Sequence, residues 1–316
     1  MEYSTLIKKV FAKNNGLTIT LFKEPFFTDR LHLMERQFGA YTKWVAFTKE
    51  LEAFSQEQDY LEHNNKVRDM VIHFVKQHKE YENFIQCNIQ ERFPLERLQI
   101  PTKSVFRKEN TGKTLLSIDL KSANYTALRA FHPSLVANTN TYQEFISQFT
   151  KEDSILHSKH MRQVIFGNLN NKRLAHIESY FVQQLLPVIT EHFTVDDIVA
   201  FIKDEVVLDI TGKEEKVSTF VQDLLSNAEK LDIHLEVQQY ILKGITSFKK
   251  GEEVFEEFYL KDFENGQVEF KGVSSLYYPM VLRAYYGEEV TNSDLTFFHE
   301  GYLAQFTEDI HFFIQK

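Results

Sequence analysis

The sequence predicts an α+β fold organised around a βαββαβ unit at roughly residues 114–245. An apolar strand pattern at 114–118 passes directly into helical spacing that ends at Pro133. Two apolar runs meet at a short polar turn within 198–210. An amphipathic helix at 214–230 precedes an alternating strand that starts at Leu231. A period of two indicates strands and a period of 3.6 indicates helices, so these segments give the unit in order.

Composition places the chain among soluble globular proteins. Of its 316 residues, 43% are apolar and 26% are charged, and the length suits one large domain or two or three small ones. The single Cys87 excludes an intramolecular disulfide and a cysteine-based zinc site, which fits a reducing compartment. We find no long apolar run and no signal peptide, so we expect a cytoplasmic protein with no membrane partner.

Positive charge is concentrated in two segments, although the net charge of the chain is −9. Residues 92–129 carry a net charge of +5, and residues 157–173 carry +4. Such segments indicate a local anionic ligand, and the alternative is that they are solvated faces. The candidate nucleic-acid-binding residues are Lys271, which lies outside these segments, and six residues within them: Arg107, Lys108, Lys121, Arg129, Lys172 and Arg173.

The central unit is flanked by two regions of different character. Residues 1–92 are predicted to be helical, with a short strand at 17–22 and long helices at 30–56 and 58–90. A connector that contains Pro94, Pro101 and Gly112 leads into a central domain at 93–245. Residues 246–316 are predicted to form a mixed α/β region that includes a hairpin around Asn265-Gly266.

Asp119 stands where the first central strand meets the following helix. A carboxylate at such a junction is costly to desolvate unless a lysine, a helix N-terminus or a metal lies beside it. A helical insertion at about 132–195 follows, with helices near 141–149, from Asp153 to about 166, and at 176–192. On the second of these, Lys159, Arg162 and Phe166 share one face, which suits a phosphate and a stacked base.

The hairpin at 198–210 has Lys203, Asp204 and Glu205 at its turn. An ordinary solvated turn is the alternative interpretation. In a ferredoxin-like βαββαβ sheet, however, Asp119 and Asp204 can lie on neighbouring central strands. Two such carboxylates suit a pair of divalent ions that stabilise the attacking and leaving oxygens of phosphoryl transfer.

Three short motifs resemble the palm of template-directed nucleic-acid polymerases, closest to DNA polymerase families A and B. Residues 117–129 (Ser-Ile-Asp-Leu-Lys-Ser-Ala-Asn-Tyr-Thr-Ala-Leu-Arg) are similar to the first palm motif, whose aspartate binds both metals. Residues 200–210 resemble the family A third motif, with Lys203 in place of its histidine. Residues 159–167 resemble the second motif in two registers, one that matches Lys159 to the family B lysine and one that matches Arg162 to the family A lysine.

The resemblance covers roughly residues 98–275, with a weaker likeness at Leu98–Pro101, and it makes the insertion a short fingers region. It implies a nucleotidyltransferase that adds nucleotides to a primer 3′ end, with Mg²⁺ or Mn²⁺ as cofactor. Its partners would be primer–template nucleic acid and nucleoside triphosphates. The implied residues are Asp119 and Asp204 as metal ligands, Glu205 as catalytic support, Lys159, Arg162 and Phe166 at the nucleotide, and Asn124 or Tyr125 near the sugar.

Two other functions stay open at this point. One is a catalytically inactive, polymerase-derived nucleic-acid-binding subunit of a larger replication complex, favoured by the acidic net charge, the short fingers region and Lys203. The other is a ferredoxin-like regulatory domain with coincidental motifs. The N-terminal helices are open as a thumb, a primer-binding arm or an interface for a protein partner. DNA and RNA are both open as template and product.

Overall fold

The computed structural model describes residues 3–98, 100, 104–249, 252–307 and 310–315, with the side chains of 252–257 outside that description. The α+β class is confirmed. The helices are α1 Thr5–Asn14, α2 Phe26–Leu33, α3 Glu35–Phe38, α4 Ala40–Leu51, α5 Glu57–Gln77, α6 Lys79–Gln86, α7 Ile89–Arg92, α8 Ala123–Phe131, α9 Tyr142–Ile146, α10 Asp153–Leu156, α11 Lys159–Gly167, α12 Asn171–Gln184, α13 Leu186–His192, α14 Val217–Lys230, α15 Tyr278–Tyr286 and α16 Asn292–Leu295. The strands are β1 Thr114–Leu120, β2 Ile198–Phe201, β3 Glu205–Asp209, β4 Leu235–Lys249, β5 Glu252–Phe263, β6 Val268–Lys271, β7 Thr296–His299, β8 Tyr302–Gln305 and β9 Ile310–Ile314.

The main sheet has the strand order β2-β3-β1-β4-β5-β6, and β9 also pairs with β4. Each of these pairings is antiparallel. Within it, β1 and β3 lie side by side between β2 and β4. The helix α8 follows β1, and α14 connects β3 to β4. This order places the C-terminal end of β1 beside the turn that joins β2 and β3.

The two faces of the sheet are buried in different ways because strand side chains alternate between them. Leu116 and Ile118 of β1 belong to the largest hydrophobic core, together with residues of α8 and α14. Leu115 faces the other way and packs in a smaller cluster with Tyr240 and Val105. Asp119 shares this second face, because it alternates with Leu115 along the strand. It is only partly buried.

The N-terminal region differs from the sequence prediction in two respects. The expected strand at 17–22 does not form. Its alternating apolar side chains are buried in a helical core without pairing to a sheet. The two expected long helices are also divided. Gly39, with a left-handed φ of 58°, separates α3 from α4. His78 ends α5 in an extended conformation and accepts a hydrogen bond from the Glu80 amide at the start of α6.

The insertion between β1 and β2 is helical, as predicted, but its helices are shorter. The expected helix from Asp153 to about 166 is broken before Ser158, whose hydroxyl accepts from the Met161 amide and starts α11. The last helix begins at Asn171 and is divided at Leu185, ahead of Pro187 at the start of α13. Proline lacks the amide proton that a continuous helix would need there.

The flanking regions are packed against the centre and against each other. Val67, Val71 and Val75 of α5 lie in the same core as β1 and α8. The helices α1, α2 and α4 form a second core that also contains Tyr278 and Leu282 of α15. None of the helices in the described part of the chain combines the length and apolarity needed to cross a membrane.

Candidate active site

Asp119, Asp204 and Glu205 meet at one end of the central strands. In the β1–β3 register, Asp119 lies directly opposite Glu205. The Leu120 amide donates to the Asp204 carbonyl oxygen at 3.0 Å, which ties the hairpin turn to the end of β1. The turn itself is a tight one, because Ile202 and Glu205 exchange backbone hydrogen bonds of 2.9 and 3.3 Å around Lys203-Asp204.

Asp119 is surrounded by like charges. On its other side it lies directly opposite Glu236 of β4, so a glutamate flanks it on each neighbouring strand. Burial raises the pKa of the Asp119 carboxyl, and the charges of Asp204, Glu205 and Glu236 raise it further, from 3.8 to about 7. Lys159 opposes this shift. A cation bound between these carboxylates would relieve their repulsion.

Glu205 is held in place by a buried serine. The Ser117 hydroxyl donates to Glu205 Oε1 at 2.5 Å, and Ser117 is almost fully buried on the same face of β1. On the other side, Gln238 Nε2 donates to Glu236 Oε1 at 2.8 Å. The sequence prediction gave no role to Ser117, although it lies in the first motif, or to Glu236. Both alternate in register with the strand residues around them, and that alternation is the signal that identifies them.

Two predicted cations lie next to this acidic group. Lys159 is the first residue of α11, is exposed, and interacts electrostatically with Asp119. Arg162 Nη1 donates to the Ser122 hydroxyl at 3.1 Å, three residues after Asp119. Ser122 has a left-handed φ of 53° between β1 and α8. Lys159 is therefore close enough to Asp119 to interact with its charge, and Arg162 is held at the junction of β1 and α8.

The aromatic candidates have a different placement from the one predicted. Phe166 is fully buried and packs against the rings of Tyr125 and Tyr142, at centroid distances of 6.4 and 6.2 Å. Tyr125 is also buried, and its hydroxyl donates to the Thr139 carbonyl oxygen at 2.8 Å. These rings are part of the core of the insertion. In this structure neither is available to stack on a base or to contact a sugar.

Asn124 and Lys203 converge on a buried glutamate that the sequence prediction missed. Glu178 of α12 has a fully buried side chain, and its Oε1 accepts a hydrogen bond from Asn124 Nδ2. Lys203 Nζ lies 2.8 Å from Glu178 Oε2. Burial alone would lower the pKa of Lys203, but Glu178, with help from Asp204 and Asp119, raises it. The spacing of residues along the helix did not show that Glu178 would be buried rather than exposed.

The other basic candidates differ in exposure. Three of them are partly buried and contact other residues: Arg129 with Asp232 at 2.9 Å, Arg173 with the Cys87 carbonyl oxygen at 2.6 Å, and Lys271 with Glu269 at 2.5 Å. The other four are exposed, and one of them, Arg107, lies 3.1 Å from Glu109. They are Arg107, Lys108, Lys121 and Lys172.

A buried lysine lies on the same face of the sheet. Lys261 of β5 is 7% exposed, and its Nζ lies 4.7 Å from the centroid of the Tyr240 ring and 3.7 Å from Glu269 Oε2. Burial lowers the pKa of Lys261, while the charges of Glu269, Glu205 and Asp119 oppose that change. This positive charge offsets part of the negative charge of the acidic group.

The two aspartates fit a divalent ion that takes its other ligands from a substrate. Within the residues that the structure describes, no three His, Cys, Asp or Glu side chains are arranged to hold a metal by themselves. Mg²⁺ is usually bound by one or two carboxylates together with water and substrate phosphates, so two aspartates suffice. Burial of Asp119, together with the like charges of Asp204, Glu205 and Glu236, favours a cation at this position.

Part of the sequence resemblance cannot be placed, because Gln99 and Pro101 of the segment leading into the first motif lie outside the described residues. The three motifs themselves are described in full. No protein-family model, curated protein sequence or solved structure matches the chain.

Proposed function

We propose that this chain is a nucleotidyltransferase that adds nucleotides to a primer 3′ end, with a polymerase-like palm at its centre. The observation that carries the proposal is the meeting of Asp119 and Asp204, which are far apart in sequence, at one end of β1 and β3. The strand order β2-β3-β1-β4, with helices after β1 and β3, supports a ferredoxin-like unit. The insertion between β1 and β2 corresponds to short fingers.

The chain supplies distinct groups for each part of this reaction. Asp119 and Asp204 would hold Mg²⁺ or Mn²⁺ together with the triphosphate. When bound, the metal acts as a Lewis acid toward the phosphoryl oxygens. Lys159 and Arg162 bind the triphosphate oxygens and offset their charge while the primer 3′-hydroxyl displaces pyrophosphate. Ser117 fixes the orientation of Glu205 beside the aspartates.

Primer extension tests this proposal directly. The full chain is supplied with DNA or RNA templates, with dNTPs or rNTPs, and with Mg²⁺ or Mn²⁺. We expect metal-dependent incorporation that is lost in Asp119→Asn and Asp204→Asn, while circular dichroism shows an intact fold. Asp197→Asn is the matched control. Asp197 pairs with Lys213 at the opposite, open end of the same β2–β3 hairpin. Incorporation that persists in either active-site variant would overturn the assignment.

A second candidate is an inactive palm that binds nucleic acid within a larger complex. Lys203 favours it, because its ammonium interacts with both Asp204 and Asp119 and so opposes a metal there. This candidate predicts salt-sensitive binding of primer–template that does not depend on divalent ions. A Mn²⁺ titration separates the two, because only the enzyme requires metal binding that depends on both aspartates.

A further inference from the structure

Glu178 has no role in the chemistry proposed above, yet its carboxylate is completely buried. Burying an ionised carboxylate is costly unless it is paired and hydrogen-bonded. Here one oxygen accepts a hydrogen bond and the other forms an ion pair, each with a residue on another element of the fold. Asn124 of α8 donates to Oε1, and the Lys203 ammonium lies 2.8 Å from Oε2. Glu178 therefore links the insertion to the tip of the β2–β3 hairpin.

Lys203 is the residue for which this link matters. It directly precedes Asp204, and its ammonium interacts electrostatically with Asp204 and Asp119 as well as with Glu178. Its side chain is 42% exposed, and a lysine side chain is long and flexible, so the ammonium has room to reorient. If Glu178 carried no charge, Asp204 and Asp119 would be the two of these three carboxylates left to attract the ammonium.

We infer that Glu178 is a positioning residue that holds the Lys203 ammonium away from Asp119 and Asp204, so that these carboxylates stay available to a divalent cation. This inference rests on the proposed function. The hydrogen bond from Asn124 fixes the Glu178 carboxylate, so that Oε2 points to Lys203. The same contact explains how a lysine can occupy the turn next to Asp204 in an active enzyme.

The test is Mn²⁺ affinity, measured on the full chain from the electron paramagnetic resonance signal of free Mn²⁺. Glu178→Gln keeps the shape of the side chain and removes its charge. A released ammonium that pairs with the aspartates should weaken Mn²⁺ binding about tenfold. In Glu178→Gln/Lys203→Met no ammonium remains to compete, so affinity should return to within about twofold of wild type. Asp197→Asn, which removes the partner of Lys213 at the open end of the hairpin, should leave the affinity unchanged.

Each result decides the inference. A purely structural Glu178 predicts a double variant that binds Mn²⁺ no better than the single one, and that result would overturn it. Unchanged Mn²⁺ affinity in Glu178→Gln would also overturn the inference while leaving the proposed function intact. If Glu178→Gln does not fold, the double variant is measured in its place. A double variant with Mn²⁺ affinity near that of wild type supports the inference, and a double variant that binds weakly or does not fold refutes it. Wild-type binding that does not depend on Asp119 refutes the proposed function, and the inference falls with it.

Discussion

Replacing Asp119 with Asn should abolish catalysis and stabilise the fold at the same time. The ionised Asp119 carboxylate lies directly opposite Glu205 on one side and Glu236 on the other, and like charges in such positions destabilise a sheet. Asn has nearly the same shape and no charge. We therefore expect Asp119→Asn to unfold at a higher temperature than wild type when divalent cations are absent.

The pKa of Asp119 gives the size and the pH dependence of this effect. Burial, followed by Asp204, raises it from 3.8 to about 7 in the folded chain. At 1.36 kcal/mol per pH unit this corresponds to about 4 kcal/mol, which solvent screening of a partly exposed group reduces to about 1–2 kcal/mol. Because the folded state holds this proton more tightly than the unfolded state, wild-type stability falls as the pH rises from about 4 through about 7.

Thermal unfolding in EDTA at about pH 4.5 and about pH 8 measures the difference. The unfolding temperature of Asp119→Asn should exceed that of wild type by about 2–5 °C at the higher pH and by much less at the lower pH. Asp209→Asn, at the other end of β3, is the control. Burial favours a raised pKa there, but hydrogen bonds from Thr211 and Lys113 outweigh it and lower the pKa of Asp209. That variant should lose stability at pH 8. The reasoning would be refuted if Asp119→Asn raised the unfolding temperature equally at both pH values, or did not raise it at pH 8.

Three further predictions concern the residues around the acidic group. Lys159→Ala and Arg162→Ala should each raise the nucleotide KM about tenfold or more with little change in Tm, since each removes a charge-assisted contact; an unchanged KM would contradict this. Phe166→Ala should lower the free energy of unfolding by about 3–5 kcal/mol, as measured in urea, because its ring is in the core. Lys121→Ala should reduce by about one the number of ions released when primer–template binds, obtained from the salt dependence of the affinity measured by fluorescence anisotropy. Arg129→Ala, whose partner is Asp232, should instead lower Tm.

The order of elements in the centre of the fold could be predicted because each rests on a local pattern. The apolar run before Asp119 forms β1, and the two runs around Lys203-Asp204 form the hairpin. The positions of Asp119 and Asp204 at strand ends follow from those patterns together with the topology of the unit. The predicted N-terminal helices are interrupted at Gly39 and at His78, which caps the start of α6. Their effect depends on backbone conformations that periodicity does not encode.

The side on which a helix meets the core was harder to predict. Lys159, Arg162 and Phe166 share one stripe by spacing, yet Lys159 is exposed while Phe166 is fully buried. On a short helix, residues in one stripe can lie at the edge of the buried face or at its centre. Spacing therefore does not show which of them contact a ligand and which pack in the core. Glu178 was missed for a different reason: its partners come from α8 and from the hairpin turn, which are distant from it in sequence.

The charges around Asp119 destabilise the folded chain when no cation is bound. Asp119 has a glutamate directly opposite it on each neighbouring strand, and Asp204 adds a further negative charge. Lys261 is buried nearby, yet burial and the like charges still raise the pKa of Asp119 to about 7, so the cations of the chain do not fully offset the cost of its negative charge. Strained or repulsive local arrangements are expected where function requires them. A divalent cation that binds only the folded state would convert this repulsion into binding energy, and stability should then rise with metal concentration in wild type but not in Asp119→Asn.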